Sequence, residues 1–286
     1  MSTRGRITMT VAAAMALALG TAACSAGAST ESGAGASAQS DLKTITIGFN
    51  SGPYEDEVTH GIQPILEKEG YTIKHQSFTD GIQVNAALDS GAIQANIMQH
   101  PVYMDYVNKQ RGFHNVALVQ VPGAPMGLFA GTSDSLTPAD GASVALPNEP
   151  SNLYRALLLL QKIGWITVSD TIDSGTASLN DVAANPHKLD FRLLDTSQAV
   201  RALQDLDYAT VQGNFAVSSG LKLTSALALE DLQDKFKVVV AIKSGNENTQ
   251  WAKDLKAAYE STAFQDYITS TATYDGYALP SYFTEK

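Results

Sequence analysis

Arg155 carries the most definite chemistry in this chain. It stands among Leu153, Ala156, Leu157, Leu160 and Ile163, which recur at helical spacing across residues 151–163, so one guanidinium rides on an otherwise apolar helix. A guanidinium offers two parallel N–H donors to one carboxylate, which fixes orientation as well as charge. That carboxylate could belong to a ligand, or to a neighbour such as Glu149 or Asp195. Asn148 and Asn152 flank the start of the same helix, where a side-chain amide can cap backbone N–H groups or reach a ligand; Ser151 is the expected N-cap. His100 and Tyr103 open a second predicted helix, with Met98 just before them as a soft apolar wall. Read as an enzyme, the chain would have Asp80, His100 and Asp195 as its acid–base set.

The usual signatures of other chemistries are missing. There is no G-x-S-x-G, H-E-x-x-H, G-x-x-x-x-G-K-[ST], or G-x-G-x-x-G after a strand. The five His, at positions 60, 75, 100, 114 and 187, are too scattered for a local metal-binding pair, and a single Cys cannot form an internal disulfide. Neither a metal nor a cofactor is therefore expected. A formal charge of −10, from 19 Lys+Arg against 29 Asp+Glu, argues against nucleic acid as a partner.

The elements that must position these residues are an alternation of strands and helices. Residues 44–49 read as a buried strand, followed by Val58, Ile62, Ile65 and Leu66 at helical spacing, with Pro64 interrupting the run. Strands are predicted at 73–78, 93–97, 116–121, 143–146, 189–194, 209–212 and 237–243. Helices are predicted at 84–88, 102–107, 151–163, 196–206, 247–260 and 263–268. This order predicts an α/β protein with a mostly parallel sheet, and 286 residues predict two lobes with a ligand cleft between them.

The first 24 residues place Arg4 and Arg6 before an apolar run and then small residues, the pattern of an export signal too short to span a membrane stably. Cys24 follows directly, and residues 25–41 form a Gly/Ala/Ser-rich tether. The combination resembles a bacterial lipoprotein signal, with cleavage before Cys24 and lipid on its sulfur. Thr21 departs from the Leu usual at that position. The expected layout is a signal peptide at 1–23, a tether with lipidated Cys24 at 24–41, and a folded body anchored on the extracytoplasmic face of the cell membrane.

Five stretches carry a longer pattern. Phe78-Thr79-Asp80, Asn85-Ala86-Ala87-Leu88-Asp89-Ser90-Gly91 and Ile93-Gln94-Ala95-Asn96-Ile97-Met98-Gln99-His100-Pro101-Val102-Tyr103 follow one another. Pro147-Asn148-Glu149-Pro150-Ser151-Asn152-Leu153-Tyr154-Arg155-Ala156-Leu157 then leads into Leu160-Gln161-Lys162-Ile163-Gly164. These runs closely resemble the NlpA-type methionine-binding lipoproteins, and weaker similarity extends over nearly all of residues 42–286. The resemblance implies a two-lobed periplasmic-binding-protein fold, with one lobe at 42–130 plus 237–286 and the other at 131–236. It implies a monomer that captures an amino acid and delivers it to an ABC importer, whose permease and ATPase are separate subunits. Arg155 would hold the ligand carboxylate, Asn148, Asn152 and Gln212 would contact ligand polar groups, and Met98, His100 and Tyr103 would line the side-chain pocket.

Three positions depart from that family's pattern: Gln212 and Val238 stand where Asn is usual, and Ala124 where a Tyr is frequent. Losing a polar partner at Val238 costs about 1 to 3 kcal/mol of ligand interaction if nothing replaces it. Methionine, another amino acid and a short peptide therefore all remain open as ligands. An exported enzyme using the same cleft, and a binding protein repurposed as adhesin or sensor, are the alternatives in function.

Overall fold

The computed structural model describes residues 42–50 and 52–284. The export signal, Cys24 and the tether lie outside the described residues. The first half runs β1 (Thr44–Phe49), α1 (Tyr54–Glu57), α2 (Gln63–Lys68), β2 (Thr72–Ser77), α3 (Gly81–Ser90), β3 (Ala95–Gln99), α4 (Pro101–Arg111), β4 (Asn115–Gln120), β5 (Gly127–Ala130), β6 (Ser143–Pro147) and α5 (Pro150–Lys162). The second half runs β7 (Thr167–Val168), β8 (Val182–Ala184), β9 (Asp190–Leu194), α6 (Ala199–Ala202), β10 (Tyr208–Val211), α7 (Gly213–Ser218), β11 (Ala228–Leu229), β12 (Val239–Lys243), α8 (Gln250–Glu260) and α9 (Thr262–Ser270).

Two five-stranded sheets result, ordered β2-β1-β3-β12-β4 and β11-β5-β10-β6-β9. In each sheet four strands run the same way, as expected, and one runs against them. β12 runs antiparallel to β3 and β4, with Val239 opposite Gln99, because its chain re-enters the first sheet at the end where β3 finishes. Periodicity reports burial and is blind to strand direction, so the sequence could not show this. β5 lies antiparallel to β10 and belongs to the second sheet. The crossover between sheets therefore falls at residues 121–126, ahead of the expected boundary at 130, and the return falls at 230–238.

Each sheet buries its own core. Ile45, Ile47, Phe49, Leu66, Trp251, Leu255 and Phe264 fill the first; Leu128, Val144, Leu157, Leu160, Trp165 and Tyr208 fill the second. Pro64 lacks the N–H that would continue the α-helical ladder, and its ring crowds the preceding turn. The chain meets this with a π-helical turn at Val58–Ile62, where Gln63 N–H donates to Val58 O, and α2 restarts with the proline in its first turn. α5 begins one residue earlier than expected: Glu149 occupies the N-cap without a side-chain bond, Pro150 follows, and Ser151 is inside the helix. The helix expected over 196–206 is reduced to a 3-10 turn at Thr196–Gln198 plus the four-residue α6.

The C-terminal tail clasps both connections between the sheets. Gly123 N–H donates to Ala278 O at 3.1 Å, and Ala278 N–H donates to Gly123 O at 2.9 Å. Lys237 Nζ donates to Leu279 O at 3.1 Å, and the Tyr282 hydroxyl donates to Gln120 O at 2.9 Å.

Candidate ligand cleft

A cavity of about 350 Å³ lies between the two sheets. Its lining comes from the residues just past the carboxyl ends of β1, β2, β3, β6, β9 and β10, together with the two connections. That is where α/β sheets gather ligand-binding groups, since each strand end hands over to a loop or helix start with free N–H groups. Met98, His100, Tyr103, Asn148, Asn152, Arg155 and Gln212, the side chains singled out in the sequence, all line it. So do Val238 and Ala124. Gly213 makes this approach possible, since a Cβ there would sit 2.4 Å from Ala124 O.

His100 is only 4% exposed and its environment fixes its tautomer. Nδ1 accepts from Tyr103 N–H at 3.1 Å, capping α4, so Nε2 carries the proton and points at Asn152 Oδ1, 3.3 Å away on the opposite wall. Burial, then the nearby Arg155 charge, pushes the imidazole down from 6.5 to about 3, so it is neutral at physiological pH. Its ring meets Phe236 edge-on at 5.2 Å.

Arg155 is buried and held by three hydrogen bonds, one from each guanidinium nitrogen. Nε donates to Glu230 Oε2 at 3.0 Å, Nη2 donates to Glu230 Oε1, and Nη1 donates to Asn152 Oδ1 at 2.9 Å. The sequence suggested Glu149 or Asp195 as its protein partner; the partner is Glu230, on the return connection. Glu230 also accepts from Met126 N–H at 2.5 Å. A guanidinium has five N–H groups, so two remain, one on each terminal nitrogen.

Three buried oxygens around the cavity have no hydrogen-bond partner among the described residues: Asn50 Oδ1, Glu149 Oε2 and Gln212 Oε1. Glu149 Oε1 accepts from Thr196 Oγ1 at 3.0 Å. Burial raises the Glu149 pKa above the usual 4.5, partly offset by its own backbone N–H, by Thr196 and by Asn152. Asn50 and Glu149 had no ligand role in the sequence reading. Asn50 follows a strand without any periodic signal, and Glu149 reads as an ordinary helix-start acid.

The three residues of the acid–base set all line the cavity, but each caps a local backbone turn. Asp80 accepts from Ile82 and Gln83 N–H to cap α3, and Asp195 accepts from Ser197 N–H and Oγ. With His100 neutral and capping α4, all three are committed to local structure.

A cavity between two α/β lobes, lined by a buried Arg and by residues with unpartnered buried oxygens, is the arrangement of a two-lobed solute-binding protein. The chain belongs to the NlpA lipoprotein family, whose pattern it matches over residues 45–282. The D-methionine-binding lipoprotein MetQ of Escherichia coli K12 is 31% identical over 246 residues, covering 84% of this chain and 89% of that one. Outer membrane lipoprotein 1 of Mannheimia haemolytica is 30% identical over 219 residues, 76% of this chain and 79% of its own length. Among solved structures, a nutrient-binding protein from Burkholderia cenocepacia bound to methionine superposes with a TM-score of 0.76 at 34% identity, covering 82% of this chain and 99% of that chain.

Proposed function

We propose that this chain is the lipid-anchored, extracytoplasmic receptor of an amino-acid ABC importer. It captures methionine or a closely related amino acid and presents it to a permease driven by a separate ATPase subunit. It works as a monomer whose lobes, 42–126 plus 237–286 and 127–236, hinge about the two connections. Acylation of Cys24 and the tether behind it hold the body at the membrane. No helix among the described residues is long and apolar enough to cross a membrane.

One observation carries the reading. Arg155 keeps two guanidinium N–H groups without a protein partner, and Asn50, Glu149 and Gln212, which line the cavity, each carry a buried oxygen with no partner among the described residues. An amino acid supplies the complement: two carboxylate oxygens for the guanidinium and three ammonium N–H groups for the acceptors. Asn152 holds Arg155 in place, Asn148 borders the polar end, and Met98, His100 and Tyr103 bound the space for the ligand's side chain.

The test is thermal unfolding of the mature chain with each common amino acid, both methionine enantiomers and methionine-containing dipeptides. A ligand at about 1,000 times its dissociation constant adds roughly 4 kcal/mol, which raises Tm by several degrees. Mass spectrometry should recover that ligand unaltered. Absence of a shift with every compound would sink the proposal.

A further inference from the structure

Four side-chain amides are buried inside the first lobe, and three of them, Asn85, Asn96 and Asn115, do not line the cavity. Asn85 and Asn96 are 0% exposed, Gln99 and Asn115 2%. They come from three elements, α3, β3 and β4, and bond mainly to one another. Asn85 is the hub. It exchanges both amide bonds with Gln99: Nδ2 donates to Gln99 Oε1 at 2.8 Å, and Gln99 Nε2 donates back to Oδ1 at 2.7 Å. Asn85 Oδ1 also accepts from Asn115 Nδ2 at 3.1 Å and Asn96 Nδ2 at 3.4 Å, while Nδ2 donates to Gly81 O at 3.0 Å.

Buried amides are costly unless satisfied, and a leucine-filled lobe would need none of them. What distinguishes this lattice is what it grips. Through Gly81 it holds the first turn of α3, and through Gln99 it holds the residue before His100; both stretches face the cavity. Those two walls also touch, since a Cβ on Gly81 would lie 2.7 Å from the Tyr103 hydroxyl and 2.8 Å from Met98 Cε. We infer that Asn85 is a positioning residue for the ligand site: its amide sets the register between the α3 start and the β3 end, and so the placement of Met98, His100 and Tyr103. This rests on the ligand site proposed above.

The experiment compares Asn85→Leu with Leu255→Ala, a truncation in the same lobe's core at a residue that does not line the cavity. Two readouts are taken: the methionine dissociation constant by calorimetry, and the ¹⁵N resonances of the His100 imidazole in the unliganded protein. Asn85→Leu should weaken methionine at least tenfold and move the His100 resonances away from the pure Nε2–H pattern. Leu255→Ala should lower Tm yet leave affinity within twofold and His100 unmoved. If Asn85→Leu does not fold, Asn115→Ala removes one donor from the hub and should shift both readouts in the same direction by a smaller amount. Unchanged His100 resonances together with affinity within twofold of the parent would overturn the inference. Should the parent bind no methionine, affinity is read with whichever amino acid raises its Tm; should none do so, the proposed function fails, and the His100 resonances alone still decide for or against the positioning role.

Discussion

Arg155 and Glu230 form a buried pair with each side chain only 7% exposed, which makes a double-mutant cycle informative. Arg155→Met removes the cation and leaves the Glu230 carboxylate with one donor, Met126 N–H. A buried charge stripped of its partner costs about 3 to 5 kcal/mol, or roughly 6 to 20 °C in Tm at the two to four degrees per kcal/mol of chains this size. Glu230→Gln keeps an acceptor for Met126 while removing the charge, so the double variant should regain at least half of that loss. Binding should behave differently. Neither variant lacking Arg155 can grip a carboxylate, and truncating a buried charge-paired anchor costs about 2 to 5 kcal/mol of affinity, or roughly 30-fold to several thousand-fold. Urea unfolding followed by tryptophan fluorescence gives the stabilities, and calorimetry gives the affinities. A double variant as unstable as the single one would refute the coupling, and Arg155→Met binding within twofold of the parent would refute the anchor.

Three further outcomes are expected. Val238→Asn returns a polar group to the cavity wall and should tighten methionine binding about 5- to 150-fold, the equivalent of 1 to 3 kcal/mol; unchanged affinity by calorimetry would mean the ligand's polar groups are already satisfied. His100, held down near 3, should stay neutral in an NMR titration from pH 8 to pH 5; a midpoint near 6.5 would contradict the described burial. Because its folded pKa is depressed, its stabilising contribution is complete above about 6.5 and is lost as pH falls towards 3. Glu57 is the opposite case: fully buried, with neither carboxylate oxygen partnered among the described residues, its pKa is raised first by burial and then by Asp56. Its contribution is present below the ordinary 4.5 and is lost as pH climbs through the raised value. Glu57→Gln should therefore gain stability relative to the parent as pH rises, and parallel denaturation curves across pH would contradict this.

Local pattern carried a large part of the fold. The α5 stripe and the strand at 44–49 were legible because apolar periodicity and burial report the same thing. β5 was hidden because its buried residues follow V-P-G-A-P-M-G, whose glycines and prolines read as loop. The direction of β12 and the partner of Arg155 depend on chain segments brought together from far apart; Glu230 lies 75 positions away. The cavity lining was legible where a long motif marked it, as at His100 and Asn152. It was not legible at Asn50 or Glu149, whose meaning arises only when their oxygens are found buried and unmatched. Asn85, Asn96 and Gln99 stood within the same motif, yet their job is visible only once the three amides are seen to close on one another.

The clasp formed by residues 278–279 gives the chain's end a mechanical office. Gly123 and Lys237 sit on the two inter-lobe connections, and both are fastened to that short stretch. On the hinge proposed above, torsion in one connection would pass to the other through the tail. For sensor engineering this singles out exposed Ser281, two residues beyond the clasp, as a position where an attached dye would register ligand capture without touching the cavity. Cutting the chain before Tyr277 would remove both ties together with Tyr277, Leu279, Tyr282 and Phe283, which pack on the first lobe's core, and would release the two connections from one another.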